Sequence, residues 1–423
     1  MTTPLEWYRR RTYLHFDMPI SENAATAITG NPDVVARHAF YPLINFTINS
    51  KKVKWDPVLK KLSLTSKERP VSYASHVDSH IYAYYAAILS EKYEAHLKSA
   101  NYESAVLAFR KLGKSNIHFA KEAFTAIKKL GNADVITTDI KDFFGNLDHQ
   151  ILRAAWRAIL GVESLPSDHY NVFKSLTRFS WVDKRNLYAA LHISPNNPRA
   201  SGPRICEPEA FRKVVRACKL IETNPHSRGI PQGSPISALL SNIYMVNFDE
   251  MMWDAVTAWG GKYFRYCDDM LIIAPHGKGK DLLNLAREFS DLYKLPLHPD
   301  KTEERTFTAT SDGLTTDKPL QYLGFLFDGK RVVLRSASLA RYSDRMKRGV
   351  RLAKATMRSR NDLRVGRGEA PTSLHKRKLY KRYSYLGRRN FVSYALRAAG
   401  ILEAKEIKRQ VKPLWKRLRK QMT

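Results

Sequence analysis

The sequence predicts an α+β fold in which helices pack around antiparallel strands, and three patterns support this prediction. Apolar runs on both sides of a short polar step at 262–274 predict a strand, a tight turn and a second strand. A further apolar run at 134–140 predicts a buried strand that ends on an acidic residue. Apolar residues at spacings of three and four, as at 77–97, predict long helices around these strands.

The first half of the chain divides into predicted elements by this criterion. Residues 1–70 mix aromatic and polar positions with several prolines, so the sequence predicts no regular element there. The following segments are predicted to be a helix at 77–97, a helix at 118–130, the strand at 134–140, and a largely helical stretch at 150–225 with loops at 164–167 and 194–203.

The second half begins with a Pro/Gly loop at 228–235, followed by a predicted helix at 236–253 and the hairpin at 262–274. A turn is predicted at 327–330, after which the chain becomes basic and helical. An apolar stripe at helical spacing comprises Leu339, Tyr342, Met346, Val350, Ala353 and Met357, and Lys and Arg occupy the remaining surface.

The charge of the chain is extreme for a soluble protein. Its 423 residues carry a formal net charge of +31, with a pI of about 10.0. Residues 341–423 contain 26 Lys and Arg but only 5 Asp and Glu, and so contribute +21 of the total. A basic C-terminal fifth favours a polyanionic partner, above all a nucleic acid, over an ordinary solvated surface.

Cysteine content and hydropathy exclude several classes of protein. The three cysteines form no Cys-x-x-Cys pair, which argues against a zinc finger or a disulfide framework. The basic N-terminus is not followed by the apolar segment of a signal peptide, and no run reaches the ~20 apolar residues of a membrane span. We therefore expect a cytoplasmic protein with no membrane contact.

Three acidic residues are the candidates for chemistry. Asp139 ends one predicted strand, and Asp268 and Asp269 lie at the turn of the hairpin. If these strands are neighbours, the three carboxylates converge, and their repulsion requires a cation. The residue types suit two Mg²⁺ ions, with Mn²⁺ as the alternative, roughly 3.5–4 Å apart as in phosphoryl transfer. The competing interpretation is an ordinary Asp-containing turn.

At this point the sequence resembles the reverse transcriptases, through five motifs in that family's order. They are Asp-Ile-Lys-Asp-Phe-Phe at 139–144, Arg-Gly-Ile-Pro-Gln-Gly-Ser-Pro-Ile-Ser at 228–237, Tyr-Cys-Asp-Asp at 266–269, Leu-His-Pro-Asp-Lys-Thr at 297–302 and Gln-Tyr-Leu-Gly-Phe at 321–325. The resemblance implies a right-hand polymerase with fingers, an antiparallel-sheet palm and a helical thumb. The expected division is an N-terminal region and fingers at 1–132, the palm at 133–330 with a helical fingers insertion at about 150–225, and a basic thumb at 331–423.

The resemblance also implies roles for individual residues. Asp139, Asp268 and Asp269 would bind the metals together with the carbonyl of Ile140, and Lys301 would protonate the pyrophosphate, with a surface lysine as the alternative. Phe144 would be a steric gate against the ribose 2′-hydroxyl, or else a core residue. The expected nucleotide-binding residues are Phe144, Gln232, Gly233, Arg110 and Lys114. The expected nucleic-acid contacts are Arg228, Tyr322, Gly324, Arg348, Arg351, Lys381, Arg382, Tyr383, Lys416 and Arg417.

The segments 13–17, 75–85 and 108–120 depart from the broad family and look like bacterial defence-associated reverse transcriptases. Because the chain stops soon after a thumb-sized segment, it looks most like class 2 of that group. That resemblance implies a structured noncoding RNA as partner and template, dNTPs as substrates, and repeated, rolling-circle-like cDNA as product.

Other interpretations stay open at this stage. They are another defence class (retron-like or template-independent synthesis), a non-catalytic RNA-binding scaffold, and an RNA polymerase, which Phe144 disfavours. His76 and His80, four residues apart, lack the intervening Glu of a zinc protease, so packing or hydrogen bonding is expected for them. The sequence leaves the priming group, the template, the trigger and the oligomeric state open.

Overall fold

The computed structural model describes residues 6–56 and 61–423. Within these residues helices surround three separate sheets, and this mixture confirms the predicted α+β class. None of the helices in these two ranges is long and apolar enough to cross a membrane.

The strands and helices are bounded as follows. The strands are β1 Leu43–Asp56, β2 Lys61–Tyr73, β3 Ala133–Asp139, β4 Ser180–Asp183, β5 Glu222–Thr223, β6 Lys262–Tyr266, β7 Asp269–Pro275, β8 Glu303–Thr310, β9 Gly313–Thr316, β10 Leu320–Tyr322, β11 Phe325–Phe327 and β12 Val332–Leu334. The helices are α1 Glu22–Thr29, α2 Pro32–Arg37, α3 His76–Ser99, α4 Asn116–Leu130, α5 Phe143–Asn146, α6 His149–Leu160, α7 Ser167–Thr177, α8 Lys184–Ala190, α9 Pro208–Ala210, α10 Ser237–Tyr244, α11 Val246–Ala258, α12 Gly279–Leu292, α13 Ser336–Val365, α14 Lys376–Tyr383, α15 Phe391–Ile401 and α16 Lys405–Met422.

The central sheet has five strands in the order β6-β7-β3-β8-β9, and every neighbouring pair is antiparallel. The position of β7 in the sheet explains why its sequence is an almost continuous apolar run, because both of its faces are buried. Its residues Ile272 and Ala274 face one hydrophobic cluster, and Leu271 and Ile273 face another. Because successive side chains of a strand point to opposite faces, a sheet buried on both faces has apolar residues at every position.

One face of the central sheet packs on helices from the first two thirds of the chain, including α3, α6, α10, α11 and α12. The other face packs on α4, on the three-stranded sheet β10-β11-β12, and on the C-terminal helices α13 to α16. The C-terminal basic region is therefore tied to the central sheet through a shared hydrophobic core.

The remaining sheet, in the order β2-β1-β4-β5, corrects one prediction and adds two short strands to the stretch that was predicted to be largely helical. Residues 43–56 and 61–73 form two long antiparallel strands where no element was expected, and residues 57–60 lie outside the described residues. The stretch 150–225 is not only helical, because β4 pairs in parallel with the start of β1 and β5 extends the sheet. The predicted helix 236–253 is two helices, α10 and α11, separated at Met245.

Candidate active site

The turn between β6 and β7 presents two acidic residues at the end of the central sheet. Tyr266 pairs with Asp269, so Cys267 and Asp268 form a two-residue hairpin loop. Cys267 has a φ of +62°, a conformation that the first residue of a type II′ turn requires and that glycine usually supplies. Backbone strain of this kind costs of order 1–3 kcal/mol and persists only where surrounding contacts enforce it.

Strand β3 brings the third acid to the same place. Asp139 pairs in register with Asp269, and the Ile140 N–H donates to the carbonyl of Asp268 at 3.1 Å. On the other side, the His298 N–H donates to the carbonyl of Asp139 at 2.7 Å. The strands that carry the three acids are therefore adjacent. This was the condition under which the sequence analysis expected the carboxylates to converge.

Lys301 lies directly on this group. It ends a short helical turn, Pro299–Lys301, just before β8, and its ammonium forms an ion pair with the Asp139 carboxylate. The Lys301 side chain is 40% exposed, so it can exchange between this carboxylate and another anion.

The electrostatics of the three acids favour a cation. Partial burial, and then the charges of Asp268 and Asp139, raise the pKa of Asp269 to about 7, against the opposing charge of Lys301. Asp269 remains exposed at the mouth of the site, so solvent screens part of this repulsion. A divalent cation held by carboxylate oxygens would remove the rest of it.

The donor set fits hard cations, although its present arrangement does not yet enclose one. Within 6–56 and 61–423, no three His, Cys, Asp or Glu side chains are grouped so that they could hold an ion as they stand. One oxygen of the Asp139 carboxylate, Oδ1, is engaged by the Lys301 ammonium. An ion that binds this oxygen has to replace that ammonium.

Behind the turn lies a buried ion pair that the sequence analysis missed. Arg265 and Asp249 have fully buried side chains, joined by bonds of 2.7 Å from Nε and 2.5 Å from Nη2. Nη1 of the same guanidinium donates to the Cys267 carbonyl and to Asn242 Oδ1, both at 3.1 Å. The available signal was a charged residue on the same strand face as the buried Tyr263.

A second loop, 228–235, lies against the residues that follow Asp139. The Ile230 N–H donates to the Phe144 carbonyl at 2.9 Å, and the Gly229 N–H donates to the Leu147 carbonyl at 2.8 Å. His149 Nε2 donates to the Gly229 carbonyl at 2.8 Å and so fastens the start of α6 to this loop. Phe144 itself is half-buried beside Phe143, and Arg228 is exposed.

The same loop touches the hairpin formed by β1 and β2. The Ser72 N–H donates to the Gln232 carbonyl at 2.8 Å. Gly233 has a φ of +114°, and a Cβ there would come within 2.5 Å of the Ser72 carbonyl. Only glycine fits this close approach. A cavity of about 470 Å³ opens at this junction, bounded also by Tyr73 and Arg199.

Arg110, predicted to bind nucleotide, has a structural role instead. Its guanidinium is only 3% exposed, and it bonds both carboxylate oxygens of Glu94 at 2.8 and 2.6 Å. Two further bonds go to the carbonyls of Glu103 and Val106. A triphosphate would have to break this network, so the assignment of Arg110 is corrected. Lys114 remains half-exposed and pairs with Glu122 at 2.6 Å.

The turn between β10 and β11 contains two residues with positive φ, and one predicted contact beside it is buried. Leu323 and Gly324 both have positive φ, at 45° and 94°. The Tyr322 ring is 4% exposed, so it cannot lie against a nucleic acid, and that role is corrected. The turn itself is held by Asn116, whose amide donates to the Leu323 carbonyl at 3.0 Å.

The predicted contacts in the C-terminal region fall into two groups. Tyr383 is buried, and its ring fills the space that a side chain at Gly349 would need, so its assignment is also corrected to core packing. The exposed cations are Arg348, Arg351, Lys381, Arg382, Lys416 and Arg417.

His76 and His80 are structural, as expected. His76 Nδ1 bonds Asp17 at 2.7 Å, and its Nε2 lies 3.0 Å from the Tyr13 carbonyl. His80 stacks on Tyr8, with ring centroids 4.9 Å apart. These contacts bind Tyr8 and the segment 13–17 to the start of α3.

Comparisons with known proteins add the following. Residues 58–327 match a family model described as "Reverse transcriptase (RNA-dependent DNA polymerase)". A structure of apo telomerase from Candida tropicalis is similar at 11% identity and a TM-score of 0.41, over 76% of this chain and 53% of that one. The same protein truncated from the C-terminal domain gives 11% identity and a TM-score of 0.39, over 75% and 61%. The chain thus spans little more than half of these structures. No curated protein matches it.

Proposed function

Because the chain belongs to the reverse transcriptase (RNA-dependent DNA polymerase) family, we propose that it copies an RNA template into DNA by nucleotidyl transfer. Its α+β architecture is the right-hand polymerase fold of that family. One observation supports the proposal most strongly: Asp139 lies in register with Asp269, beside the turn that carries Asp268.

The proposed metal ligands are Asp139, Asp268 and Asp269, with the carbonyl of Ile140. When bound, Mg²⁺, or Mn²⁺ in its place, would neutralise the triphosphate and acidify the primer 3′-hydroxyl. The carboxylates orient the reactants, and their combined negative charge keeps the site selective for cations.

Lys301 would act at the leaving group. Its ammonium pairs with Asp139 in the absence of substrate, and it would transfer to the triphosphate when a cation replaces it. There it can donate a proton to the departing pyrophosphate oxygen. Gln232 and Gly233 would border the incoming nucleotide, with Lys114 and Arg228 as outer contacts.

We propose that Phe144 selects deoxynucleotides. Its half-buried ring lies beside Phe143, five residues after Asp139, and its carbonyl accepts from Ile230 in the loop that contains Gln232. Phe144→Ala should increase incorporation of ribonucleotides relative to deoxynucleotides, because the ring no longer meets the 2′-hydroxyl. Single-nucleotide extension with each nucleotide type measures this. An unchanged ratio of ribonucleotide to deoxynucleotide incorporation would refute the gating role of Phe144.

The test of the catalytic proposal is the double substitution Asp268→Ala with Asp269→Ala. We expect loss of DNA synthesis on a primed RNA template, because two of the three carboxylates are gone, with RNA affinity retained. Asp312→Ala, at an exposed acid outside the site, is the control. Synthesis that survives the double substitution would refute the assignment. An inactive wild type with intact RNA binding would instead favour an RNA-binding scaffold.

We further propose a role in antiphage defence as a class 2 enzyme with a structured noncoding RNA. The support is the resemblance at 13–17, 75–85 and 108–120. The division into an N-terminal region and fingers (1–132), a palm (133–330) and a thumb (331–423) is part of the same proposal.

Sequencing of the nucleic acid that co-purifies with the protein, before and after phage infection, tests this role. One abundant structured RNA, together with tandem-repeat cDNA made only by the active enzyme, is the expected result. Bound RNA without repeats, or homopolymer DNA, would move the enzyme to another defence class.

A further inference from the structure

A cavity of about 360 Å³ lies among the C-terminal helices, remote in sequence from the catalytic motifs. It is bounded by Tyr385 after α14, by Leu396 on α15, and by Val411 and Trp415 on α16. Lys408 and Lys412 complete its border. Its volume lies in the range of pockets that bind small ligands, about 300–1,000 Å³.

The aromatic rings of this cavity are held in position yet accessible. The Trp415 ring lies 5.1 Å from the centroids of both Tyr380 and Tyr385. Tyr385 is 53% exposed, and the neighbouring Leu386 and Leu396 are 57% and 37% exposed. Large apolar side chains grouped in this way on a surface usually mark a binding site.

The charge around the cavity identifies the class of ligand. Helix α16 carries eight Lys and Arg residues and α14 carries five. In the described part of the chain, none of these thirteen cations forms an ion pair with a carboxylate. An apolar peptide would leave them uncompensated, and a second copy of this chain would add repulsion. A nucleic acid supplies both phosphates for the cations and base faces for the rings.

We propose that this pocket binds an unpaired base of the bound RNA, stacked against Trp415 and Tyr385, with the adjacent phosphates on Lys408 and Lys412. The proposal rests on the RNA-binding function proposed above and specifies where a single-stranded segment is held. An unpaired base is required because a duplex hides the base faces inside its stack.

The test compares Trp415→Ala, Trp415→Phe and Tyr385→Ala in the full-length protein. The control is Tyr170→Ala, which removes another exposed tyrosine that lies beside a cation, Arg153. Affinity is measured by fluorescence anisotropy for a single-stranded RNA, a single-stranded DNA of the same sequence, and an RNA duplex of equal length.

We expect Trp415→Ala to weaken single-stranded RNA binding roughly 5- to 150-fold, the equivalent of losing one stacked base. Trp415→Phe should retain most of the affinity, and duplex binding should not change. An equal loss with DNA would identify the cDNA strand as a second possible occupant of the same pocket; a loss with RNA alone would assign it to the template or scaffold.

Unchanged affinity in both alanine variants would overturn the proposal, as would an equal loss for single strand and duplex. A loss of self-association in sedimentation instead of RNA affinity would assign the pocket to a second copy. Tyr385→Ala keeps the test valid if Trp415→Ala misfolds, because the Tyr385 ring is largely exposed and its removal should leave the fold intact. Extension of a DNA primer annealed to RNA is measured in parallel. An inactive wild type would count against the polymerase function, whereas active variants with unchanged affinity would count against the pocket alone.

Discussion

At the scale of single residues, Asp269 couples protonation to folding. Its pKa in the folded protein is about 7, above the ordinary value of 3.8. Between these two values the folded state binds more protons than the unfolded state, so the free energy of unfolding falls as the pH rises from about 4 to about 7. A cation at the site should reverse this loss.

We therefore expect Asp269→Asn to melt at a higher temperature than the wild type at about pH 8 in a chelator, and at a similar temperature at about pH 4, where the wild-type carboxyl is protonated in the folded state and about half protonated in the unfolded state. Excess Mg²⁺ should reduce the difference in melting temperature at about pH 8, because it stabilises the wild type alone. Thermal melting at both pH values measures this, with Asp312→Asn as control. A difference in melting temperature that is the same at both pH values would contradict the coupling between Asp269 protonation and folding.

Residue identities predicted the convergence of the three acids but not the burial of Arg110. Asp139, Asp268 and Asp269 could be located because a carboxylate at the end of a buried strand is costly without a partner. Arg110 could not, because its inward orientation depends on Glu94, sixteen residues earlier on a different element. The burial of Tyr383 could not be predicted either, because a ring among cations suits both a core and a surface.

At the scale of elements, the hairpin β6–β7 depends on Arg265 and Asp249. The guanidinium holds the carbonyl of Cys267, the residue with positive φ, and Asp249 orients the guanidinium. The pair therefore links α11 to the turn that carries Asp268. Its role would be to position the catalytic turn without touching the substrate.

Removing one partner of this pair should destabilise the fold by about 3–5 kcal/mol, because a buried charge is left unpaired. The double variant Arg265→Met/Asp249→Leu should recover much of that stability, yet remain slow in nucleotide incorporation because Cys267 has lost its donor. Denaturant unfolding and single-nucleotide incorporation separate the two effects. Lys213→Met, which breaks an exposed pair, is the control. Full incorporation by the double variant would refute the positioning role.

Elements with a buried face were predictable, and those without one were not. Helix α3, the strand β3 and the hairpin β6–β7 all carry apolar patterns that match their burial. The strand pair β1–β2 does not, because residues 47–50 and 66–70 are largely exposed and are paired mainly by backbone hydrogen bonds. Strands β4 and β5 are too short for any periodicity.

At the scale of the whole molecule, the net positive charge is concentrated in the C-terminal region, whereas the hydrophobic core of that region is shared with one face of the central sheet. The composition alone predicted a polyanion partner. The cavity beside Trp415 could not be predicted, because α14, α15 and α16 come together only in the folded chain.

RNA affinity should fall steeply with salt, because phosphate binding by Lys and Arg releases counterions. Changing Lys381, Arg382, Lys416 and Arg417 together to Gln should reduce the log–log salt slope by up to about 2.8–3.6, which is about 0.7–0.9 for each phosphate that is no longer neutralised. Binding titrations over a series of salt concentrations provide the slope. The matched control neutralises four exposed cations elsewhere, Lys280, Arg287, Lys318 and Lys330. Equal slopes in the two variants would show that the C-terminal cations have no special role.

The three thiols of the chain differ in a way that is useful for optical experiments. Burial raises the pKa of Cys206, and burial together with the Asp268 charge raises the pKa of Cys267 to about 12. Cys218 is exposed. Since thiol reagents attack the thiolate, a maleimide dye at neutral pH should attach to Cys218 first. A single fluorophore could thus be placed on the unaltered chain, and polymerisation could be followed one molecule at a time.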